Sequence, residues 1–374
     1  MDALSHEDYH NHSLGKPNKY IVLAVLILAI SGIAYSFSRP TEKDVIKGTV
    51  KEIISEKETT LDISGKERAV KEQNLLIEIF TENGRRDVNV LNDYKPVEKN
   101  DEVFIQKSLF GDVEFNVVDI SRTNNLILLS VFFVILVIAT SGLKGVYSLV
   151  GLLFSFAIIF VFIVPQILKG AEPVSIGIIG AAVILIPTLY LSYGLNRKSI
   201  AAFFGIIVSL FFVGIFANYF VNILQFTGLG EISVFLDMES SNTINFIGLL
   251  TAGIIIAAVG VLDDVAAIQS SVVFSLASNN SDLRGFELFK EAMHVGKDHI
   301  SAVVNTLVLA YTGASLPLLL LLSLRNMPAD YFVSLEMVAE EIVRTLISSS
   351  GLLLAVPLTT VIATIMAGRN YQKI

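Results

Sequence analysis

Hydrophobic residues in this chain form long runs that only a few polar blocks interrupt. The hydrocarbon core of a bilayer is about 30 Å thick, and a helix needs about 20 apolar residues to cross it. About eight runs satisfy this length, so we predict an all-α polytopic membrane bundle. The predicted transmembrane spans are residues 20–37, 125–141, 146–168, 174–193, 199–221, 246–276, 300–323 and 342–366.

The polar block at residues 41–122 has a different pattern, because apolar and polar residues alternate along several short segments. Alternation with a period of two indicates β-strands, and Asn83 followed by Gly84 favours a tight turn. We predict a small β-rich domain, either a barrel or a sandwich, that is structural or contacts a partner. The alternating segments are Val45–Ile54, Leu75–Phe80, Asp87–Leu91, Val103–Lys107 and Val113–Ile120.

These patterns divide the chain into five regions. Residues 1–19 are predicted to form a cytoplasmic tail, and residues 20–37 a retained signal-anchor helix, because no small-residue cleavage site follows it. Residues 41–122 are the β-rich domain, residues 125–366 a transmembrane domain with seven helices, and residues 367–374 a second cytoplasmic tail.

The distribution of basic residues predicts the orientation of the bundle. Lys and Arg in short loops favour the cytoplasmic side, and one side of the eight-span arrangement collects most of them. The loop at residues 222–245 on the opposite side contains acids but no Lys or Arg. Both termini are therefore predicted to be cytoplasmic and the β-rich domain extracytoplasmic. The basic residues are Lys16, Lys19, Lys144, Arg197, Lys198, Arg369 and Lys373, and the acids are Glu231, Asp237 and Glu239.

Composition narrows the functional classes. Hydrophobic residues make up 53% of the chain and charged residues 17%, with a mean hydropathy of +0.66, as in membrane proteins. The net charge is −8, and residues 41–122 hold 18 acidic against 13 basic residues, so no basic surface indicates nucleic acid. The absence of Cys excludes disulfides, thiolate metal sites and a cysteine nucleophile. No nucleophile elbow, P-loop or His-Glu-x-x-His motif occurs, so we expect no enzyme activity, bound metal or cofactor.

The sixth predicted span holds two adjacent acids, Asp263 and Asp264, near the middle of a long apolar run. An acid at the centre of a transmembrane helix costs about 2.5–3.5 kcal/mol on insertion scales, so both carboxyls should face protein, water or a bound cation. Two neighbouring carboxyls in a low-dielectric site do not readily ionise together, which suits a group that takes up and releases protons. The alternatives are a pair that only stabilises helix packing and a pair that coordinates a cation.

Polar residues in the last two predicted spans complete the candidate site. Asn305 and Thr306 supply neutral hydrogen-bonding groups and are the expected polar neighbours of the aspartates. Glu340, Glu341 and Arg344, just before the eighth span, are candidates for an acidic gate at the outer mouth. A simple ion pair between Glu340 and Arg344, four residues apart on one helix, is the alternative.

Two features near the seventh span predict its shape. Residues 279–298 have apolar residues at helical spacing among charges, which predicts an amphipathic helix lying on the cytoplasmic face of the membrane. Pro317 lies inside the span and removes a backbone donor, which predicts a kink.

The motifs in these spans resemble the YibE/F family of multipass membrane proteins. The resemblance covers residues 125–366 and implies a protein of the bacterial cell membrane, but it implies little about activity. The motifs are Gly260-Val-Leu-Asp-Asp-Val-Ala, Val295-Gly-Lys-Asp-His-Ile, Val304-Asn-Thr-Leu-Val-Leu-Ala-Tyr-Thr-Gly-Ala-Ser-Leu-Pro, Glu340-Glu-Ile-Val-Arg-Thr-Leu and Leu354-Ala-Val-Pro-Leu-Thr-Thr.

A second likeness concerns mechanism. The segment from Gly260 to Asp264 is similar to the Gly-Leu-x-x-Asp-Asp-Ala region of RND-type exporters and of SecD and SecF proteins, in which buried acids carry protons. The outside domain here is far smaller, two extra helices intervene, and no intramembrane Lys partner is visible. RND-type proteins contain two similar membrane halves and this chain shows one, so the likeness implies a homodimer or pairing with a related YibE/F subunit.

The combined interpretation is a proton-coupled transporter, or a proton-driven accessory to export, embedded in the lipid bilayer. Asp263 and Asp264 would be its protonatable pair. The alternative is a non-catalytic membrane scaffold or assembly factor that recruits a partner through its outside domain. The substrate, the direction of transport and the coupling ion stay open.

Overall fold

The computed structural model describes residues 18–37, 45–63, 66–81, 84–108, 114–230, 244–280, 282–324 and 327–368. These residues fall into two compact units, one within Ser38–Thr140 and one built from the first helix and the chain from Ser141 onward. Several expectations lie outside the described residues. They concern the N-terminal tail up to residue 17, Asn83, the loop acids Glu231, Asp237 and Glu239, and the C-terminal Arg369 and Lys373.

The first unit contains a five-stranded closed barrel, which confirms the β-rich domain and decides between barrel and sandwich. The strand order around the barrel is β1-β2-β3-β5-β4, and β1 closes onto β4. All neighbours are antiparallel except β3 and β5, which pair in parallel. This is the order of the OB barrel, a small Greek-key barrel. The strands are β1 (Val45–Ile63), β2 (Lys66–Thr81), β3 (Gly84–Asn92), β4 (Glu102–Lys107) and β5 (Phe115–Ile120).

Alternation along the strands fills the barrel interior, because side chains on a strand point to opposite faces in turn. The enclosed residues are aliphatic apart from Phe115. The side chains of Asn92 and Gln73 form a buried amide pair. The side-chain Oε1 of Gln73 accepts hydrogen bonds from the Asn92 side chain over 3.0 Å and from the backbone amide of Val97 over 2.9 Å. The core residues are Val50, Leu75, Ile77, Ile79, Val88, Val90, Val97, Val103, Ile105, Phe115 and Val117.

Apart from connecting loops, the rest of the described chain is helical. A π-helical turn at Ile159–Ile163 joins α2 to α3. Six helical stretches among the described residues are long and apolar enough to cross a bilayer. The helices are α1 (Lys19–Phe37), α2 (Thr123–Ile158), α3 (Val164–Leu168), α4 (Pro173–Tyr193), α5 (Arg197–Ile223), α6 (Phe246–Asn279), α7 (Gly285–Ala314), α8 (Leu316–Ser323), α9 (Ala329–Ser334) and α10 (Glu336–Gly368).

Gly142 separates the predicted second and third spans within α2. Its φ of 57° and ψ of −138° are not helical, so the helix is interrupted there, and the positive φ suits a residue without a Cβ. Thr123–Leu168 is nevertheless one of the six apolar stretches, and the two spans predicted within it lie on either side of Gly142. The predicted seventh span is absent from the six, because its helix starts in a charged segment and breaks at Ser315, two residues before Pro317.

The amphipathic helix predicted on the membrane face is the first part of α7 and is continuous with the seventh span. Its residues Leu288 and Ala292 are buried against α6 and α10. Phe286 and Val295 in the same segment are exposed, with 78% and 45% of their surfaces accessible. The segment therefore packs on protein along one stripe, and the placement of its exposed apolar residues on the membrane surface stays a prediction.

Four helices, α4, α5, α6 and α10, share one hydrophobic core. Glycines allow α5 and α7 each to approach α10 closely. A Cβ added at Gly205 of α5 would lie 3.0 Å from the Cα of Thr359 on α10, and one added at Gly296 of α7 would lie 2.6 Å from the Val356 side chain. Helices in membranes pack through such small residues because no hydrophobic effect draws helices together in lipid.

Candidate functional site

The aspartate pair lies on α6, the helix most enclosed by its neighbours. Adjacent residues on a helix point about 100° apart, so the two carboxyls face different surroundings. Asp263 is partly enclosed, and its Oδ1 atom is buried with no hydrogen-bond partner among the described residues. Asp264 lies on the exposed side of the helix. The structure therefore separates two residues that the sequence could only treat as a pair.

Helix α4 supplies polar groups that interact with the pair. The hydroxyl of Thr188 faces the carboxylate of Asp263, and the hydroxyl of Tyr193 interacts electrostatically with both carboxylates. The Thr188 hydroxyl also donates to the backbone carbonyl of Ile184 over 3.0 Å. These two residues were not predicted as neighbours of the aspartates. Both residues are polar and lie in the fourth predicted span, and this polarity was the feature of the sequence that could have indicated them.

A group of buried hydroxyls lies along α10, which packs against α6. Four of its oxygen atoms have no hydrogen-bond partner among the described residues. Gln269, about one and a half turns after the aspartates, is buried and donates to the Thr360 hydroxyl over 2.7 Å and to the backbone carbonyl of Ala292 over 3.0 Å. The interior of the helical unit thus contains buried hydroxyl oxygens without hydrogen-bond partners, whereas most buried polar groups in proteins are hydrogen-bonded. The four unpartnered hydroxyls belong to Ser348, Ser349, Thr359 and Thr364.

Asn305 and Thr306 are not brought to the aspartates. Both are exposed on α7, no hydrogen bond joins either to Asp263 or Asp264, and the Thr306 hydroxyl donates to the backbone carbonyl of Ala302 over 3.0 Å. The face of α7 that packs against α6 and α10 is instead apolar and includes Val303, Val304 and Leu307. The rotation of α7 about its axis places Asn305 and Thr306 on its exposed face. The spacing of residues along the sequence did not predict this rotation.

The candidate gate residues cluster at the start of α10. Arg344 donates to Glu341 over 2.7 Å, so the ion pair is formed by residues three apart and not by Glu340 and Arg344. Glu340 is half-buried, and its Oε1 atom has no partner among the described residues. Glu336 connects this cluster to the segment after α5, because its carboxylate accepts hydrogen bonds from the backbone amides of Thr227 and Gly228.

No curated protein and no solved structure matches the chain. Residues 129–369, which include the aspartate helix, α7 and the whole of α10, match the family described as YibE/F-like protein. The matched region covers more than half of the chain and contains all of the candidate site residues. Together with the apolar helices, this match identifies the chain as a membrane-embedded member of the YibE/F family.

Proposed function

We propose that this protein is a proton-coupled transporter, or a proton-driven accessory to export, in which Asp263 takes up and releases the proton. The observation that carries the proposal is the Oδ1 atom of Asp263, which is buried within an apolar helix and has no hydrogen-bond partner among the residues that the structure describes. A charge in such surroundings is costly unless it is paired, and a carboxyl can remove that cost by binding a proton.

The surroundings of the pair support a mobile proton rather than a static packing role. A structural polar pair is expected to have its hydrogen bonds satisfied, because each unsatisfied buried group costs about 1–3 kcal/mol. Here Asp263 retains an unpartnered oxygen, and Asp264 lies beside it on the exposed side. The hydroxyl of Thr188 is close enough to hydrogen-bond with the Asp263 carboxyl as its protonation state changes, and Tyr193 interacts electrostatically with both carboxyls.

The test uses a strain that lacks this protein, screened for growth or envelope defects at two external pH values. Rescue is compared between the wild type and the double variant Asp263→Asn, Asp264→Asn at matched membrane abundance. We expect the double variant to accumulate normally and to give no rescue at either pH. Glu291→Gln, a neutral substitution of an exposed acid on α7, serves as the matched control and should rescue fully.

Full rescue by the double variant would overturn the proposal and favour the scaffold alternative, in which the acids only stabilise the fold. A double variant that is degraded would instead identify the pair as structural. Coupling to another cation is distinguished by repeating the rescue at constant pH while the sodium concentration is varied.

We also propose that the chain works as a homodimer or with a related YibE/F subunit. Asp264 lies on an exposed face of α6, and a carboxyl exposed to lipid is costly, which favours a second protein chain against that face. Because the chain has no Cys, introduced cysteines report contacts cleanly. Ile268→Cys, one turn from Asp264 and 42% exposed, should form a disulfide-linked dimer, and Ile215→Cys on α5, 46% exposed, should not. Equal cross-linking of both would contradict a specific interface.

A further inference from the structure

An apolar groove lies between α4 and α5, next to the turn that joins them. It encloses about 280 Å³, close to the lower end of the range for ligand sites. Leu195 and Phe204 in its walls are 76% and 51% exposed, so the groove opens away from the helical core. The apolar lining residues are Ile186, Leu189, Leu195, Ile200, Phe203 and Phe204.

Hydrogen bonds fix one end of the groove, where α4 ends and α5 begins. The hydroxyl of Ser199, which lines the groove, donates to the backbone carbonyl of Gly194 over 2.6 Å. The Asn196 side chain caps α5 by accepting a hydrogen bond from the Ser199 backbone amide over 3.0 Å. The first turn of α5 is therefore held in place beside the groove.

Basic residues are placed at this end of the groove by two helices. Arg197 and Lys198 belong to the first turn of α5, where Arg197 is exposed and Lys198 partly exposed. Lys19 begins α1, and the backbone amide of the preceding Asn18 donates to the hydroxyl of Tyr190, a lining residue, over 3.0 Å. None of the described residues that line the groove is acidic. The end of the groove near the turn is therefore positively charged, and the positive end of the α5 dipole adds to this charge.

An apolar groove with cations at one end matches the chemistry of an anionic phospholipid. Such a lipid joins an acyl chain to a phosphate headgroup, and basic pockets between membrane helices bind headgroups of this kind. One turn of helix rises about 5.4 Å, so Arg197 and Lys198 lie within about one turn of Ile200 in the groove wall. A free anion would gain nothing from the apolar walls, and a neutral hydrocarbon would gain nothing from the cations.

We propose that this groove binds an acyl chain of an anionic phospholipid, with the phosphate of the same lipid held by Arg197 and Lys198. Phe203 and Phe204 would contact the acyl chain, which enters the groove from the bilayer. This inference does not depend on proton coupling, because the aspartate pair takes no part in it.

The test uses fluorescence quenching by brominated lipids. The chain has no Trp, so one introduced Trp reports its own surroundings. Phe204→Trp places an indole in the groove, and Phe211→Trp, about two turns along α5 and 65% exposed outside the groove, is the matched control. Each full-length variant is reconstituted in nanodiscs of mixed phosphatidylglycerol and phosphatidylcholine, with one lipid or the other brominated.

We expect phosphatidylglycerol to bind beside the indole of Phe204→Trp with a relative binding constant about tenfold that of phosphatidylcholine, because two basic residues attract its headgroup. The two lipids should quench Phe211→Trp equally. The proposal is overturned if the two lipids quench both variants equally. It is also overturned if neither lipid quenches Phe204→Trp, which would show that another part of the chain covers the groove.

Charge removal provides the second arm. In the Phe204→Trp protein, Arg197→Gln combined with Lys198→Gln should reduce the preference for phosphatidylglycerol to that of the Phe211→Trp control. Lys144→Gln, which removes an exposed basic residue outside the groove, should leave the preference unchanged. Nanodiscs expose both faces of the bilayer, so a change of membrane orientation does not affect the measurement. An anionic preference that survives the double substitution would contradict the proposed headgroup site.

Discussion

Replacing Asp263 with asparagine is expected to abolish the pH-dependent function, whereas Asp264→Asn should retain part of it. The reason is the difference in surroundings, because Asp263 carries the buried unpartnered oxygen while Asp264 is exposed. Removing the charge at the exposed position changes the field at Asp263 but leaves the enclosed carboxyl in place. Rescue of the deletion strain, scored for each single variant at matched abundance, measures the difference.

Infrared difference spectroscopy on the purified protein provides a readout that needs no substrate. A protonated carboxyl has a carbonyl stretch separate from that of a carboxylate, so a pH titration reports the buried acid directly. We expect the protonated band of the wild type to persist in Asp264→Asn and to disappear in Asp263→Asn. Thr188→Val should shift this band without removing it, because the Thr188 hydroxyl faces the Asp263 carboxylate. The opposite assignment of the band would contradict the proposed role of Asp263.

Gly205→Ala should be strongly destabilising, by about 1–3 kcal/mol or more, as expected for an overpacked core. The added Cβ would lie 3.0 Å from the Cα of Thr359, a backbone atom that moves only if α5 and α10 separate. These two helices share the hydrophobic core with α4 and α6, so their separation would disturb the support of the aspartate helix. Thermal unfolding of the protein in detergent, compared with the wild type, measures the loss.

Gly214→Ala on the same helix is the matched control. The nearest atom to its added Cβ is the Ile255 Cδ1 at 4.0 Å, which is an ordinary contact. Alanine has a higher helix propensity than glycine by about 1 kcal/mol, so this variant should unfold at the same temperature or slightly higher. Equal destabilisation by both substitutions would show that the close approach of α5 and α10 does not limit the packing of the unit.

The sequence predicted the secondary structure well where a strong periodic signal exists. The apolar runs correspond to helices because a segment that crosses lipid must satisfy its own backbone and remain apolar over about 20 residues. Five alternating segments in residues 41–122 correspond to the five strands, since a half-buried strand requires that alternation. The ion pair at Arg344 was less predictable, because Glu340 and Glu341 are both within reach on one helix.

Sequence alone determined that this chain is a membrane protein of the YibE/F family, that it contains a β-rich domain, and that Asp263 and Asp264 lie in an apolar helix. The tertiary structure alone distinguished the two acids, brought Thr188 and Tyr193 to them instead of Asn305 and Thr306, and ordered five strands into a closed barrel. The reason is that hydropathy and period are properties of consecutive residues. Helix rotation and strand order instead depend on contacts between residues far apart in the chain.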